Sequence, residues 1–289
     1  MRYSINVPNF GEFADARAFA ELAGRAEAAG WDAVWVWDHL MHERRRQRVV
    51  ADPWIMLAAA GLATERVLLG PMVTPLGRRR VGKLAREVTT LDRMTGGRIV
   101  LGVGLGAPIE DEFGRFGEPT APRAIAEHLD ESLDALALLW TGEPVTYKGR
   151  HVTLDDVLFR PTPVQRPRVP IWVAGNWPNK APMRRAARWD GVTPILPGTE
   201  EGAVPDIAVV REMVDFVASH RAELGRADEP FDVVVGGTSP AGRQGADIVG
   251  PLADAGATWW DERMALTSPD LERLEPMLRR VDQGPPRVG

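Results

Sequence analysis

The sequence predicts a closed (β/α)8 barrel, and three observations carry that prediction. Eight short β-type runs recur along the chain, each followed by a segment of helical periodicity. The 289 residues suit eight such units, because barrels of this type run to about 250 residues before insertions. No break in composition divides the chain, so a single domain over 1–289 fits better than an open doubly wound sheet with an added module.

The eight strands are read at Tyr3–Val7, Ala33–Trp37, Val67–Val73, Ile99–Val103, Ile171–Ala174, Gly191–Ile195, Phe231–Val235 and Thr258–Asp261. Between them, Ala14–Ala29 has helical spacing and stops at Gly30. Pro53–Ala63 opens with Asp52 as N-cap and Pro53 as first helical residue, the position where a missing N–H costs nothing. Val81–Met94 ends at Gly96-Gly97, and Arg123–Trp140 places Ile125, Leu129, Leu133 and Leu136 on one apolar stripe. The remaining helices are read at Ala181–Arg188, Asp206–Leu224, Gly242–Ala255 and Pro269–Val281. The repeat is interrupted once, over 141–169, by a polar, Pro-rich stretch that includes a Lys148-Gly149 turn. Such a segment cannot be a barrel helix, and it is expected as an insertion after the fourth strand, packed over the barrel.

Composition removes several function classes. With no cysteine there is no disulfide framework, thiolate metal site or cysteine nucleophile. A formal net charge of −5 provides no basic footprint for nucleic acid. No run approaches the roughly 18 apolar residues of a membrane span, and Met1–Asn9 is too short for a signal segment, so a cytoplasmic protein is expected. Only Lys83, Lys148 and Lys180 are lysines among the 35 basic residues, a bias of the coding sequence rather than of the chemistry.

In a barrel of this kind chemistry gathers at the C-terminal ends of the strands. The second strand runs into Asp38-His39, either an imidazole with a carboxylate neighbour poised for proton transfer or a loop histidine beside a capping aspartate. The run Glu43-Arg44-Arg45-Arg46 and the later Arg78-Arg79-Arg80 read as solvated charge. The third strand ends in Gly70-Pro71-Met72-Val73-Thr74-Pro75, an irregular backbone where a planar ligand could rest or simply a rigid loop. The fourth ends in Gly102-Val103-Gly104-Leu105-Gly106-Ala107, which formally matches a dinucleotide fingerprint. Pro108 and Glu110-Asp111-Glu112 replace the helix that fingerprint needs. What survives is side-chain-free backbone able to approach a phosphate or ring edge, with tight packing as the alternative. The fifth ends in Gly175-Asn176-Trp177-Pro178-Asn179 before a helix, an anion site or an ordinary turn.

Other chemistries fit less well. Gly237-Thr238-Ser239-Pro240-Ala241 lacks the last glycine of a nucleophile elbow, and Pro240 withholds the amide an oxyanion would need. Asp38 with Asp261 or Glu262 could form a glycosidase pair, although barrel strands often end in acids. The histidines at 39, 42, 128, 151 and 220 show no ligand spacing within one element, so no metal is assigned.

Taken together, the chain resembles the luciferase-like flavin or deazaflavin oxidoreductases, a (β/α)8 barrel family. The resemblance runs from Val7-Pro8-Asn9 to Gln283-Gly284-Pro285-Pro286. It includes Ala28-Ala29-Gly30-Trp31-Asp32, Trp37-Asp38-His39-Leu40, the strand-3 end through Leu76, Thr90 to Arg98, and the strand-4 glycines. Glu112-Phe113 with Phe116-Gly117, Pro163 to Pro167 and Arg185 to Gly191 complete it. The resemblance implies a flavin at the C-terminal mouth, held by Met72, Val73 and Thr74 under the ring. It implies a phosphate near Gly104, Leu105 and Gly106 and near Gly175, Asn176, Trp177, Pro178 and Asn179. It also implies a cis peptide at Met72–Val73. The family's deazaflavin-dependent sugar-phosphate dehydrogenases pair an Asp-His with a Trp four residues on and a Glu after the strand-4 glycines. Asp38 and His39 match, whereas Glu43 stands in place of the Trp and Ala107 in place of the Glu, with Glu110 near enough to substitute.

The function the resemblance implies is hydride transfer between coenzyme F420 and a small organic substrate, with His39 as acid or base and Asp38 orienting it or holding the cofactor. One alternative is an FMN-dependent monooxygenase served by a separate flavin reductase. Another is a flavin-binding protein without turnover, its site decayed at positions 43 and 107. Trp37, Met41 and Trp177 suggest an apolar substrate or are packing; a homodimer is the expected assembly.

Overall fold

In a computed structural model that describes residues 1–288, all eight strands are present and form one parallel ring. They are β1 (Arg2–Val7), β2 (Ala33–Val36), β3 (Leu68–Pro71, resumed at Thr74–Pro75), β4 (Leu101–Gly104), β5 (Ile171–Asn176), β6 (Gly191–Ile195), β7 (Asp232–Gly237) and β8 (Trp259–Glu262). Neighbours pair in sequence order, and β1 pairs with β8, Arg2 opposite Trp259. Closure falls on β3, whose first half pairs with β2 and whose second half pairs with β4. The sequence reads β3 as one run; the structure breaks it at a cis Met72–Val73 peptide, where the resemblance places one.

The helices are α1 (Ala16–Ala28), α2 (Pro53–Ala63), α3 (Val81–Met94), α4 (Pro122–Leu139), α5 (Lys180–Ala186), α6 (Ile207–Glu223), α7 (Gly242–Asp254) and α8 (Leu274–Asp282). Aspartates start three of them. Asp15, Asp52 and Asp206 each accept from two first-turn amides, which otherwise lack partners. The last helix begins five residues later than expected, because residues before it are tied to the chain start: Glu12 N–H donates to Glu272 O at 2.9 Å, and Leu274 N–H to Glu12 Oε2 at 2.7 Å.

The 141–169 segment holds an antiparallel hairpin, Pro144–Lys148 with Thr153–Leu158. The Glu131 carboxylate of α4 accepts the Arg150, His151 and Val152 amides at 2.7–2.8 Å, fixing the hairpin to an outer helix.

Inside the ring, Trp35, Trp172 and Trp259 meet one another at 5.3–5.9 Å between ring centroids, so the barrel is a packed core rather than a channel. Glycine makes the room. A Cβ on Gly102 would lie 2.3 Å from Pro71 O and 2.8 Å from Met72 Sδ. No helix among the described residues is long and apolar enough to cross a membrane.

Candidate active site

Beyond β2 the chain turns through Trp37-Asp38-His39, and buried Asn9 clamps that turn. Its Nδ2 donates to His39 O at 2.8 Å and to Ala51 O at 2.7 Å, and its Oδ1 accepts from His39 N–H at 3.3 Å. The next three amides converge on one carboxylate. Leu40, Met41 and His42 N–H donate to Glu112, at 2.9, 3.1 and 2.5 Å. Glu112 is fully buried, on the short helical turn Ile109–Glu112 that follows β4. Its Oε1 lies 3.6 Å from His39 Nδ1, and that nitrogen has no hydrogen-bond partner. Burial alone would raise the Glu112 carboxyl, but His39, the Leu40 amide and Arg78 together hold it at about 2. The group beside the candidate imidazole is therefore a fixed carboxylate.

Asp38 does not play that part. Its carboxylate accepts from Arg78 Nη2 at 2.7 Å, from Arg79 Nη2 at 2.6 Å and from the Thr74 hydroxyl. Arg78 also donates through Nη1 to Glu112, so two arginines and two carboxylates form a buried, charge-balanced cluster. Two expectations are corrected here. Arg78 and Arg79 do not face water, because the 3-10 turn Leu76–Arg78 carries them under the His39 loop. The substituting acid is Glu112 and not Glu110, whose carboxylate lies against Gly114. In the sequence Glu112 stands out only as part of the Glu112-Phe113 mark; the signal for its role is the adjoining Phe113, a core residue that turns one acid of the run inward.

His42 packs edge-on against His39 at 4.4 Å between ring centroids, with Phe10 at 5.0 Å behind it. Arg48 Nη1 lies 2.6 Å from His42 Nδ1. A guanidinium can only donate, so Nδ1 is the acceptor and the ring proton sits on Nε2. Burial, then the charges of His39 and Arg48, push this imidazole down to about 4.

These groups border a cavity of about 690 Å³ at the C-terminal mouth. Of the expected residues, Asp38, His39, Met72, Val73, Gly104, Leu105, Gly106, Gly175, Asn176 and Asn179 line it. Thr74 and Trp177 lie behind the wall, Thr74 engaged by Asp38 and Trp177 buried with the Lys180 ammonium 3.6 Å above its ring; Pro178 is exposed and does not line the cavity. Gly106 has φ +85°, and a Cβ there would meet Pro75 and Phe113 at 2.9–3.0 Å. The residue must be glycine for packing beneath, and its backbone is what faces the cavity. Among the described residues nothing accepts the Leu105, Gly106 or Ala107 amides, which makes this strip a cradle for an anionic group. A flat ring beside Met72–Val73 with a phosphate on the strip fits this wall.

The chain is similar to known proteins over most of its length. The luciferase-like monooxygenase family model matches residues 1–260. An F420-dependent glucose-6-phosphate dehydrogenase of Microbacterium testaceum is 37% identical over 167 residues, covering 56% of this chain and 47% of that protein. The chain thus spans about half the length of the curated relatives it matches first. Among solved structures, the coenzyme F420-dependent tetrahydromethanopterin reductase of Methanopyrus kandleri superposes with a TM-score of 0.76 at 16% identity, over 98% of this chain and 96% of that one. The long-chain alkane monooxygenase LadA superposes with 0.75 at 16%, over 100% and 93%. That match over most of the chain makes the assignment: the chain belongs to the luciferase-like monooxygenase family.

Proposed function

We propose that this chain is an oxidoreductase that uses coenzyme F420 for hydride transfer to or from a small organic substrate. The observation that carries the proposal is His39 on the wall of the cavity, backed by the buried Glu112, beside the Met72–Val73 peptide and the free amides of Leu105–Ala107. Met72 and Val73 would hold the ring, and the amide strip would hold its phosphate. When bound, F420 supplies two-electron hydride chemistry.

The chain's own residues handle the proton. Hydride transfer to a carbonyl, or from an alcohol, moves a proton at the substrate oxygen, and a group within hydrogen-bond reach must give or take it. His39 is placed for this. Glu112, ionised and 3.6 Å from Nδ1, favours the proton on that nitrogen and leaves Nε2 for the substrate. The carboxylate that seemed lost at Ala107 is thus supplied from another position, which supports an active enzyme over a decayed binding site. F420 dependence of the curated relative favours the deazaflavin over FMN.

Titration of the protein with F420 and with FMN, followed by fluorescence quenching, tests the reading. Saturable binding of F420 in the micromolar range with FMN much weaker is expected; tight FMN binding without F420 binding would overturn it in favour of the oxygen-activating alternative.

A further inference from the structure

Three of the four carboxylates on the cavity wall already have their counter-ions, Glu200 being the exception. Asp38 pairs with Arg78 and Arg79, Glu43 with Arg46 and Arg48, and Asp111 with Arg115. The wall's single arginine or lysine has none. Arg263, just past β8, has no carboxylate within 4.0 Å among the described residues, and its side chain makes one long hydrogen bond, Nη2 to Thr199 Oγ1 at 3.5 Å.

The side chain is nonetheless held in place. Arg263 N–H donates to Gly237 O at 2.8 Å, and the Thr238 hydroxyl donates to Arg263 O at 2.7 Å. The guanidinium lies across Gly236, where a Cβ would come within 2.8 Å of Nε and 2.9 Å of Cζ. Any larger residue on β7 would displace it. A permanently charged fork of N–H donors is therefore laid on backbone and open to the cavity, with Thr199 as its one hydrogen-bond partner and its charge felt by the buried Asp261 but bonded to no carboxylate.

We propose that Arg263 binds a carboxylate of the substrate, and that the substrate class is an acid with one carboxylate on an otherwise apolar body. The inference rests on the reading of this cavity as a redox site. A guanidinium matches a carboxylate through two parallel hydrogen bonds, and the neighbouring wall at Ile195, Met264 and Leu266 is apolar. A phosphate dianion calls for more positive charge than one arginine provides, and this wall contains no lysine. The site therefore differs in substrate from the sugar-phosphate enzyme the chain is similar to.

The test uses hexanoate and its neutral isostere hexanamide as probes, with binding to the full chain measured by calorimetry. Wild type should bind hexanoate at millimolar concentration or below, with hexanamide weaker by roughly tenfold or more, the range for a hydrogen bond to a charged group. Arg263→Gln should remove that preference, Arg263→Lys should restore part of it, and F420 affinity should stay unchanged in both. The proposal is overturned if wild type binds no hexanoate or binds acid and amide equally. It is also overturned if Arg263→Gln keeps the preference, or if that variant loses F420 instead, which would give the guanidinium to the cofactor. Absence of F420 binding to wild type would sink the redox reading while leaving the acid–amide comparison interpretable.

Discussion

The two sides of the cavity mouth are built on opposite electrostatic plans. On the β2–β3 side the buried charges are answered: Arg78 bridges Asp38 and Glu112, Arg79 pairs with Asp38, and the His39 loop hangs from Glu112 by three amides. On the β8 side Glu262 pairs with Arg280 behind the wall, while Arg263, on the wall, lies over glycine with no carboxylate within 4.0 Å among the described residues. Paired buried charges contribute rigidity rather than binding, whereas an unpaired, positioned charge is available to a ligand. The difference assigns the first wall to holding the imidazole and the second to selecting the substrate.

The comparison can be broken most severely at His39. His39→Ala removes the proton carrier, and general acid–base groups contribute about 10²–10⁴-fold, so single-turnover reaction of bound F420 should slow by that order with cofactor affinity unchanged. Equal rates would make His39 a structural loop residue. Next comes Arg78→Met, which leaves Asp38 with Arg79 alone and the buried Glu112 with no arginine; breaking such a cluster costs about 3–5 kcal/mol, read as a lowered midpoint in urea unfolding. Adding Glu112→Gln to that variant should recover part of the loss, because neighbours in one network are not additive.

Alone, Glu112→Gln should reduce kcat by roughly tenfold while leaving F420 affinity intact, since it touches the imidazole and not the cofactor wall. An equal loss in both would mean that Glu112 only holds the loop. The smallest effect concerns pH. His42 is held at about 4, below its ordinary 6.5, so the stability it contributes is complete above pH 6.5 and is lost as pH falls through 4. Thermal melts between pH 7 and 4 should show a decline that is shallower in His42→Gln; identical slopes would place the titration elsewhere.

Much of the fold was legible because local signals agreed with tertiary demands. Pro53–Ala63, Val81–Met94 and Gly191–Ile195 have the same ends in sequence and structure, each bounded by a cap, a glycine pair or a β-branched run. The site was legible only in part. His39 at a strand end was visible, as was the glycine strip, and the interruption of β3 followed from the resemblance. The arginine–carboxylate cluster was not, because Arg78 and Arg79 sit in a run that reads as solvated, and their partners lie 34 to 41 residues away in sequence. Burial of such a run is decided by a single 3-10 turn, which periodicity does not report.

A crystal structure of the protein with F420 bound tests the central claim most directly. The account predicts the ring in the mouth cavity, touching Met72–Val73 with His39 beside it and the phosphate on the Leu105–Ala107 amides. F420 bound anywhere else, or turned so that His39 lies remote from the ring, would contradict it.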